Sequence, residues 1–166
     1  MTMSILPSHT SFVFRERPTP VPGDLRLSWR FALNLQILNR SRSKRSSIAR
    51  LYILNDGTRS FEDSDLLSDI LVGAAQISEW RVKVEPALGR ALDLMVAEGL
   101  LLWVTVSNRL GVELTPSGLS LAIDIFKEKD IMSKEKERIE YLAPILTEAR
   151  VSDFLKVRSN DAIFDF

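Results

Sequence analysis

Few side chains of this 166-residue chain could act as nucleophiles or strong metal ligands. The chain has one histidine and no cysteine, so a thiolate nucleophile, a cysteine-ligated zinc site and a disulfide are excluded. A Ser–His–acid arrangement would have to use His9, which lies in a proline-rich segment beside no obvious partner. We therefore expect no hydrolytic catalysis.

The densest cluster of carboxylates comprises Glu62, Asp63, Asp65 and Asp69. It lacks the loop spacing of a calcium-binding hand, and the first three are explained as acids at the positive end of a helix dipole. The seven glycines form neither a dinucleotide-binding nor a phosphate-loop pattern. We predict no enzymatic activity, no metal, no cofactor and no small-molecule substrate.

One basic stretch could contact a polyanion. Residues 25–55 include seven basic residues and no acidic one, and the densest part interleaves the cations with serines. Such cations either contact DNA phosphates or an acidic partner, or form a solvated loop that balances the acidic remainder. The candidate contacts are Arg40, Arg42, Lys44, Arg45 and Arg50.

The element around which the chain is organised is a helix–hairpin–helix unit over residues 86–126. Apolar residues at three- and four-residue spacing predict a helix from Pro86 to the glycine stop at Gly99. Strand formers follow on both sides of a turn at 108–111, and Thr115-Pro116 starts the next helix. The side chains expected to be buried are Leu88, Leu92, Met95, Leu121 and Ile125.

The remaining pattern predicts a mainly α fold with a small β-hairpin. Helices are expected at 27–39, at 48–54 with a turn at 55–57, and at 61–75. The first is apolar around much of its circumference, so we expect other helices to surround it. On this interpretation helices 61–75 and 86–98 form a helix-turn-helix pair, and residues 102–114 form a wing. The expected organisation is an extended arm at 1–24, a winged-helix domain at 25–130, and a helical extension and tail at 131–166.

The second helix of that pair has the wrong charge for reading DNA. Arg90 stands against Glu85, Asp93 and Glu98, and the wing tip offers only Arg109. A recognition helix in the major groove needs cations near the phosphates, and an acidic face is repelled by them. The sequence therefore disfavours operator recognition through this helix.

Several aromatic side chains lie where they could anchor a protein interface. Phe12 and Phe14 are near one terminus, Phe164 and Phe166 near the other, and Trp103 lies on the expected wing. Aromatic residues dominate the binding energy of many interfaces. These five residues are the candidate anchors for a partner protein.

The segments "ALDLMVAEGLLLWV" and "VELTPSGLSLAI", with a long first helix and a basic break, carry a resemblance to a known family. Over about residues 27–129 the chain resembles accessory subunits of SMC-type ATPases, and more narrowly the middle component of bacterial ABC three-component systems such as Lamassu anti-phage defence. The resemblance implies a bridge between an SMC-like ATPase and an effector nuclease, with no catalytic residue to carry over. Because the "LTPSG" turn also occurs in MarR-like regulators, a winged-helix DNA-binding regulator is the alternative.

Composition adds two expectations about environment. Lys plus Arg and Asp plus Glu both number 22, which gives no overall attraction to nucleic acid or to an anionic membrane. No apolar run approaches the ~20 residues of a membrane span, and residues 1–9 lack the features of a signal peptide. Together with the absence of cysteine, this predicts a cytoplasmic protein with no membrane partner.

Overall fold

The computed structural model describes the backbone of residues 23–81 and 85–161, and the side chains of residues 27–81 and 85–156. Within these ranges the chain is mainly helical, with one small antiparallel sheet. The helices are α1 (Gly23–Arg40), α2 (Ile48–Gly57), α3 (Phe61–Val72), α4 (Pro86–Ala97), α5 (Pro116–Lys127), α6 (Ser133–Ile145) and α7 (Glu148–Asp161). The strands are β1 (Arg45–Ser47), β2 (Leu101–Val106) and β3 (Arg109–Leu114), and short 3₁₀ turns occupy Arg42–Lys44 and Ile77–Glu79.

The predicted hairpin is confirmed as β2 and β3. Its two-residue turn, Ser107-Asn108, has φ angles of 50° and 60°, the left-handed backbone of a turn that matches the twist of the flanking strands. β3 begins at Arg109, so the turn is earlier and shorter than expected.

The third strand, β1, was not predicted from the sequence. It lies inside the basic break and pairs antiparallel with β3, which gives the strand order β1-β3-β2. Ser46 stands opposite Val112, and a side chain at Gly111 would approach the Ser46 carbonyl oxygen to 2.5 Å. Because Gly111 has no side chain, the backbones of β1 and β3 can approach closely at this point. A polar segment can therefore pair as a strand even though it lacks alternating apolar residues.

The local signals at the ends of the helices are confirmed around the hairpin. Pro86 is in the first turn of α4, and Gly99 follows the helix with φ of 70°. The Thr115 hydroxyl accepts the amide hydrogen of Gly118 at 3.0 Å and caps α5. These boundaries depend on neighbouring residues alone, which explains why the pattern located them.

Two predicted helix ends differ from the structure. α3 ends at Val72, because Gly73 adopts a left-handed backbone. The turn expected at 55–57 is instead the last turn of α2, and Asn55 donates to Asn34 Oδ1 at 3.0 Å and to the Leu51 carbonyl oxygen at 2.8 Å. A tertiary hydrogen bond to α1 thus favours helix over the local turn signal.

Helix α1 lies at the centre of the molecule. Residues 33–38 are all buried, and α1 contacts α2, α4, α5 and α6. Its two buried amides are satisfied, since Asn34 pairs with Asn55 and Gln36 donates to the Ala122 carbonyl oxygen at 2.8 Å. This confirms that a helix apolar around much of its circumference is surrounded by other helices.

The packing of α5 differs in part from the expectation. Leu88, Leu92 and Met95 are fully buried as predicted, but Leu121 is 40% exposed and Ile125 is only partly buried. Ala122 is the residue of α5 that is fully buried, beside the hydrogen bond from Gln36. This contact with α1 leaves Leu121 on the outward side.

Helices α6 and α7 contribute to the same hydrophobic core as the preceding elements. Ile139, Leu142 and Leu146 are buried with Leu38 and Leu51, and Val151 of α7 joins them. The boundary expected at residue 130 therefore does not coincide with a boundary of the core. None of the helices in the described ranges is both long and apolar enough to cross a membrane.

Candidate functional site

The structure divides the five candidate cations at residues 40–50 into three kinds: cations held by contacts within the fold, one buried cation, and exposed cations without an ion pair. Arg40 forms an ion pair with Glu140, and its guanidinium lies 5.3 Å from the centroid of the Phe126 ring. The Lys44 ammonium donates to the Asn39 carbonyl oxygen and, at 2.9 Å, to Asn39 Oδ1. It therefore satisfies acceptors at the negative end of the α1 dipole. Both cations are already held by the fold.

Arg50 must be removed from the candidate contact set, because it is buried and its donors are used inside the fold. Its Nε donates to the Leu146 carbonyl oxygen at 2.6 Å, and a second nitrogen donates to the Ala143 carbonyl oxygen at 2.5 Å. The third reaches the hydroxyls of Ser41 and Ser46, at 2.6 and 3.2 Å. Burial lowers the pKa of Arg50 and the nearby Glu148 carboxylate opposes that shift. The residue joins the start of α2 to the end of α6.

Arg42 and Arg45 are exposed, as Arg40 is, but unlike Arg40 they are not held by a partner carboxylate. Neither forms an ion pair with any residue in the described part of the chain, although Arg45 stands opposite Glu113 across the β1–β3 pair. Two exposed guanidinium groups provide a weak, sequence-independent contact at most. The basic patch is therefore smaller than the sequence indicated.

The hairpin exposes apolar side chains on both of its faces, Leu102 on one and Trp103 with Leu110 on the other, and we call these three residues together the wing surface. Their side chains are 56%, 39% and 60% exposed. Trp103 and Leu110 share one face of the hairpin, because alternate pairs along it place Trp103 opposite Val112 and Thr105 opposite Leu110. Adjacent exposed apolar side chains of this size are typical of interaction sites.

The cation beside the hairpin turn, Arg109, is directed back into the fold. Its guanidinium pairs with Glu148 Oε2 at 3.1 Å and donates to Ser152 Oγ at 3.0 Å. The other Glu148 oxygen accepts the Ser47 amide hydrogen at 2.9 Å. Glu148 thus connects the first turn of α7 to both β1 and β3, and Arg109 holds the hairpin in place without reaching outward.

Helix α4 exposes few groups able to contact DNA. Arg90 is exposed, but Asp93, Leu94 and Glu98 are exposed as well. Glu85, immediately before the helix, pairs with Arg30 at 2.7 Å and with Arg59 at 2.5 Å. Burial raises the pKa of Glu85, but the hydrogen bonds and charges of Arg59 and Arg30 together outweigh burial and leave the pKa lowered.

A cavity of about 180 Å³ lies between the end of α2, α3 and the 3₁₀ turn at Ile77–Glu79. Its lining contains no histidine, cysteine, serine, threonine or lysine, so it holds no hydroxyl or thiol nucleophile beside a base. Among the described residues, no group of three or more His, Cys, Asp or Glu side chains could hold a metal ion. The lining residues are Asp56, Arg59, Asp63, Leu66, Glu79, Trp80 and Arg81.

Trp103 is the one predicted anchor that the structure describes, and it is partly exposed as expected. Phe12, Phe14, Phe164 and Phe166 lie outside the described residues, and so does His9. Leu102 and Leu110 were not singled out, because in the sequence they are ordinary strand residues. The predicted turn at 108–111 puts Leu110 in the turn. With the turn at 107–108, the strand register places Leu110 on the same face as Trp103.

A comparison of the chain with protein-family models finds no match, and comparisons with curated proteins and with solved structures find none either. The geometry of the wing surface and of the surrounding charges is therefore the basis for an inference about function.

Proposed function

We propose that the chain is a non-catalytic winged-helix accessory subunit, which bridges an SMC-like ATPase and an effector nuclease in an anti-phage defence complex. The order of elements supports the winged-helix part: helix pair α3 and α4 precedes the hairpin, β1 adds a third strand, and α5 follows. The additional helix α2 lies between β1 and that pair. The bridging role and the partners come from the resemblance of residues 27–129 to middle components of ABC three-component systems.

The wing surface is the observation on which the interaction role depends. A wing that meets phosphates displays Lys or Arg, because neutralised phosphates supply most of the affinity for DNA. Here Arg109 is engaged by Glu148, and the large apolar side chains exposed on the hairpin are Leu102, Trp103 and Leu110. An exposed tryptophan beside exposed leucines is instead suited to an apolar pocket on a partner protein.

The alternative of a MarR-like regulator is less well supported. Its recognition helix would be α4, where Arg90 is the exposed cation beside exposed Asp93 and Glu98. The exposed pair Arg42 and Arg45 could add non-specific contact with DNA that the complex carries. These two arginines could not read a base sequence from their positions after α1, because phosphate contacts carry no sequence information.

The test measures binding of the purified chain to the ATPase and nuclease subunits with which it would be co-expressed. Trp103→Ser with Leu110→Ser should weaken binding to at least one of them by about 30-fold or more, since the loss of even one anchor costs roughly 2 kcal/mol or more. The matched control is Leu121→Ser with Ile123→Ser, which removes two similarly exposed side chains, 40% and 41%, from α5. This control should bind like the unmodified chain.

Two results would contradict the proposal. The first is that the unmodified chain binds neither subunit. The second is that it selects a defined operator from random DNA and that Arg90→Glu abolishes this selection, which would favour the regulator.

A further inference from the structure

Strand β2 forms an open edge of the sheet in the described part of the chain. The strand order is β1-β3-β2, so β2 pairs with β3 on one side only. The opposite edge, β1, has three residues, of which Ser46 and Ser47 are buried. β2 has six residues, a length of about 20 Å at 3.3 Å per residue.

The hydrogen-bond pattern shows which main-chain groups of β2 face outward. The Thr115 amide hydrogen bonds to the Leu100 carbonyl oxygen at 3.0 Å, one step beyond the pair Leu101 and Leu114. Hydrogen-bonded pairs alternate along an antiparallel ladder, so Leu102, Val104 and Val106 direct their main-chain groups toward β3. The N–H and C=O groups of Leu101, Trp103 and Thr105 consequently point to the open edge.

This edge lacks the features by which edge strands are normally protected. Its sequence, Leu-Leu-Trp-Val-Thr-Val, contains no charged residue and no proline. All six residues pair in continuous register with β3, so no bulge twists the edge away. Natural sheets usually carry one of these devices, because an unprotected edge is a template for another strand.

Exposed apolar side chains lie on both faces beside the edge. Leu102 is on one face and Trp103 on the other, and Leu110 shares the face of Trp103 one strand further from the edge, on β3. In strand addition the main chain supplies affinity, and alternate side chains of the incoming segment fit pockets on each face. Because β2 carries no charge, an uncharged segment with apolar side chains fits it best.

We propose that the β2 edge binds an extended, uncharged segment of a partner protein as an additional strand. The proposal rests on the proposed function in that it names how the wing engages a partner. A second copy of this chain fits less well: an edge about 20 Å long on a sheet ~10 Å thick gives roughly 400 Å² for two copies, against the ~1,200 Å² of a stable interface. A linear segment that pairs with β2 also lies beside Leu102 on one face and Trp103 on the other.

The experiment selects peptides from a display library of random 12-residue sequences on the purified full chain. The selected peptides should be uncharged and rich in alternating apolar residues. Their affinity should fall at least tenfold for Thr105→Pro, which removes an outward N–H that β3 does not use, and by less than twofold for Thr105→Ala, which keeps it. Proline is tolerated where the N–H of an edge strand faces solvent. Thr105→Lys, a charge beside the edge, should weaken binding similarly and covers the case in which the proline variant fails to fold.

Several outcomes would overturn strand addition. One is that no peptide is selected, and a second is that the selected peptides are basic. A third is that the selected peptides bind all three Thr105 variants equally. A dimer of the unmodified chain that Thr105→Pro dissociates would show that a second copy occupies the edge. If the peptides behave as expected while the ATPase and nuclease do not bind, strand addition stands and the proposed function fails.

Discussion

At the scale of single residues, the buried guanidinium of Arg50 links distant parts of the chain. Replacing it by methionine would leave the carbonyl oxygens of Ala143 and Leu146 without their donor. Each buried group that loses its partner costs about 1–3 kcal/mol, so for two groups we expect Arg50→Met to lower the free energy of unfolding by roughly 2–6 kcal/mol. Urea denaturation measures this change.

The control for Arg50 is Arg42→Met, which removes the same group from an exposed position eight residues earlier. Surface substitutions of this kind usually change stability by within about 0.5 kcal/mol. Equal effects of the two substitutions would show that the hydrogen bonds of Arg50 do not stabilise the fold.

A second prediction at this scale concerns Glu85 and its two arginine partners. Because the folded pKa of Glu85 lies below its ordinary value of 4.5, this group stabilises the fold above about pH 4.5, and its contribution is lost as pH falls through the folded pKa. Glu85→Gln should therefore be less stable than the unmodified chain at pH 7, and the difference should shrink as the pH falls below 4.5. Thermal melts across this range would measure the difference, and parallel curves would contradict the assignment.

At the scale of elements, the start of α5 depends on a close approach to Leu100, the residue that leads into β2. A side-chain carbon at Gly118 would lie 2.1 Å from the Leu100 carbonyl oxygen, whereas one at Gly89 in α4 would meet nothing within 4 Å. Gly118→Ala should destabilise the chain by about 1–3 kcal/mol through overpacking. Gly89→Ala should stabilise it by about 0.5–1 kcal/mol, the usual gain inside a helix. Both changes can be followed by denaturant unfolding, and a gain for Gly118→Ala would mean that this contact is loose.

At the scale of the whole molecule, α6 and α7 complete the core. A chain that ends at residue 130 loses Ile139, Leu142 and Leu146 from that core, and leaves Arg50 without its carbonyl acceptors. We therefore expect the full chain to melt in one transition and the truncated chain to lack a cooperative transition. Circular dichroism during heating tests both. A truncated chain with a melting temperature near that of the full chain would show that residues 25–130 fold alone.

The sequence alone determined the features that depend on near neighbours in the chain. The helix start at Pro86, its end at Gly99, the cap at Thr115 and the hairpin between them follow from backbone preferences and short spacings. The burial of α1 also followed, because a helix with apolar residues on most sides must be surrounded.

The tertiary structure decided which side of each element faces another. Strand β1 exists because β3 lies beside a polar tripeptide, and Arg50 is a buried link because the end of α6 reaches it from 93 residues away. The same holds for the exposure of Leu102 and Leu121, whose residue type predicts burial. Long-range contacts decide these outcomes, since a residue's local pattern says which helix or strand it joins but not whether a partner covers it. The wing surface and the open edge of β2 could therefore be recognised only once every neighbouring element was in place.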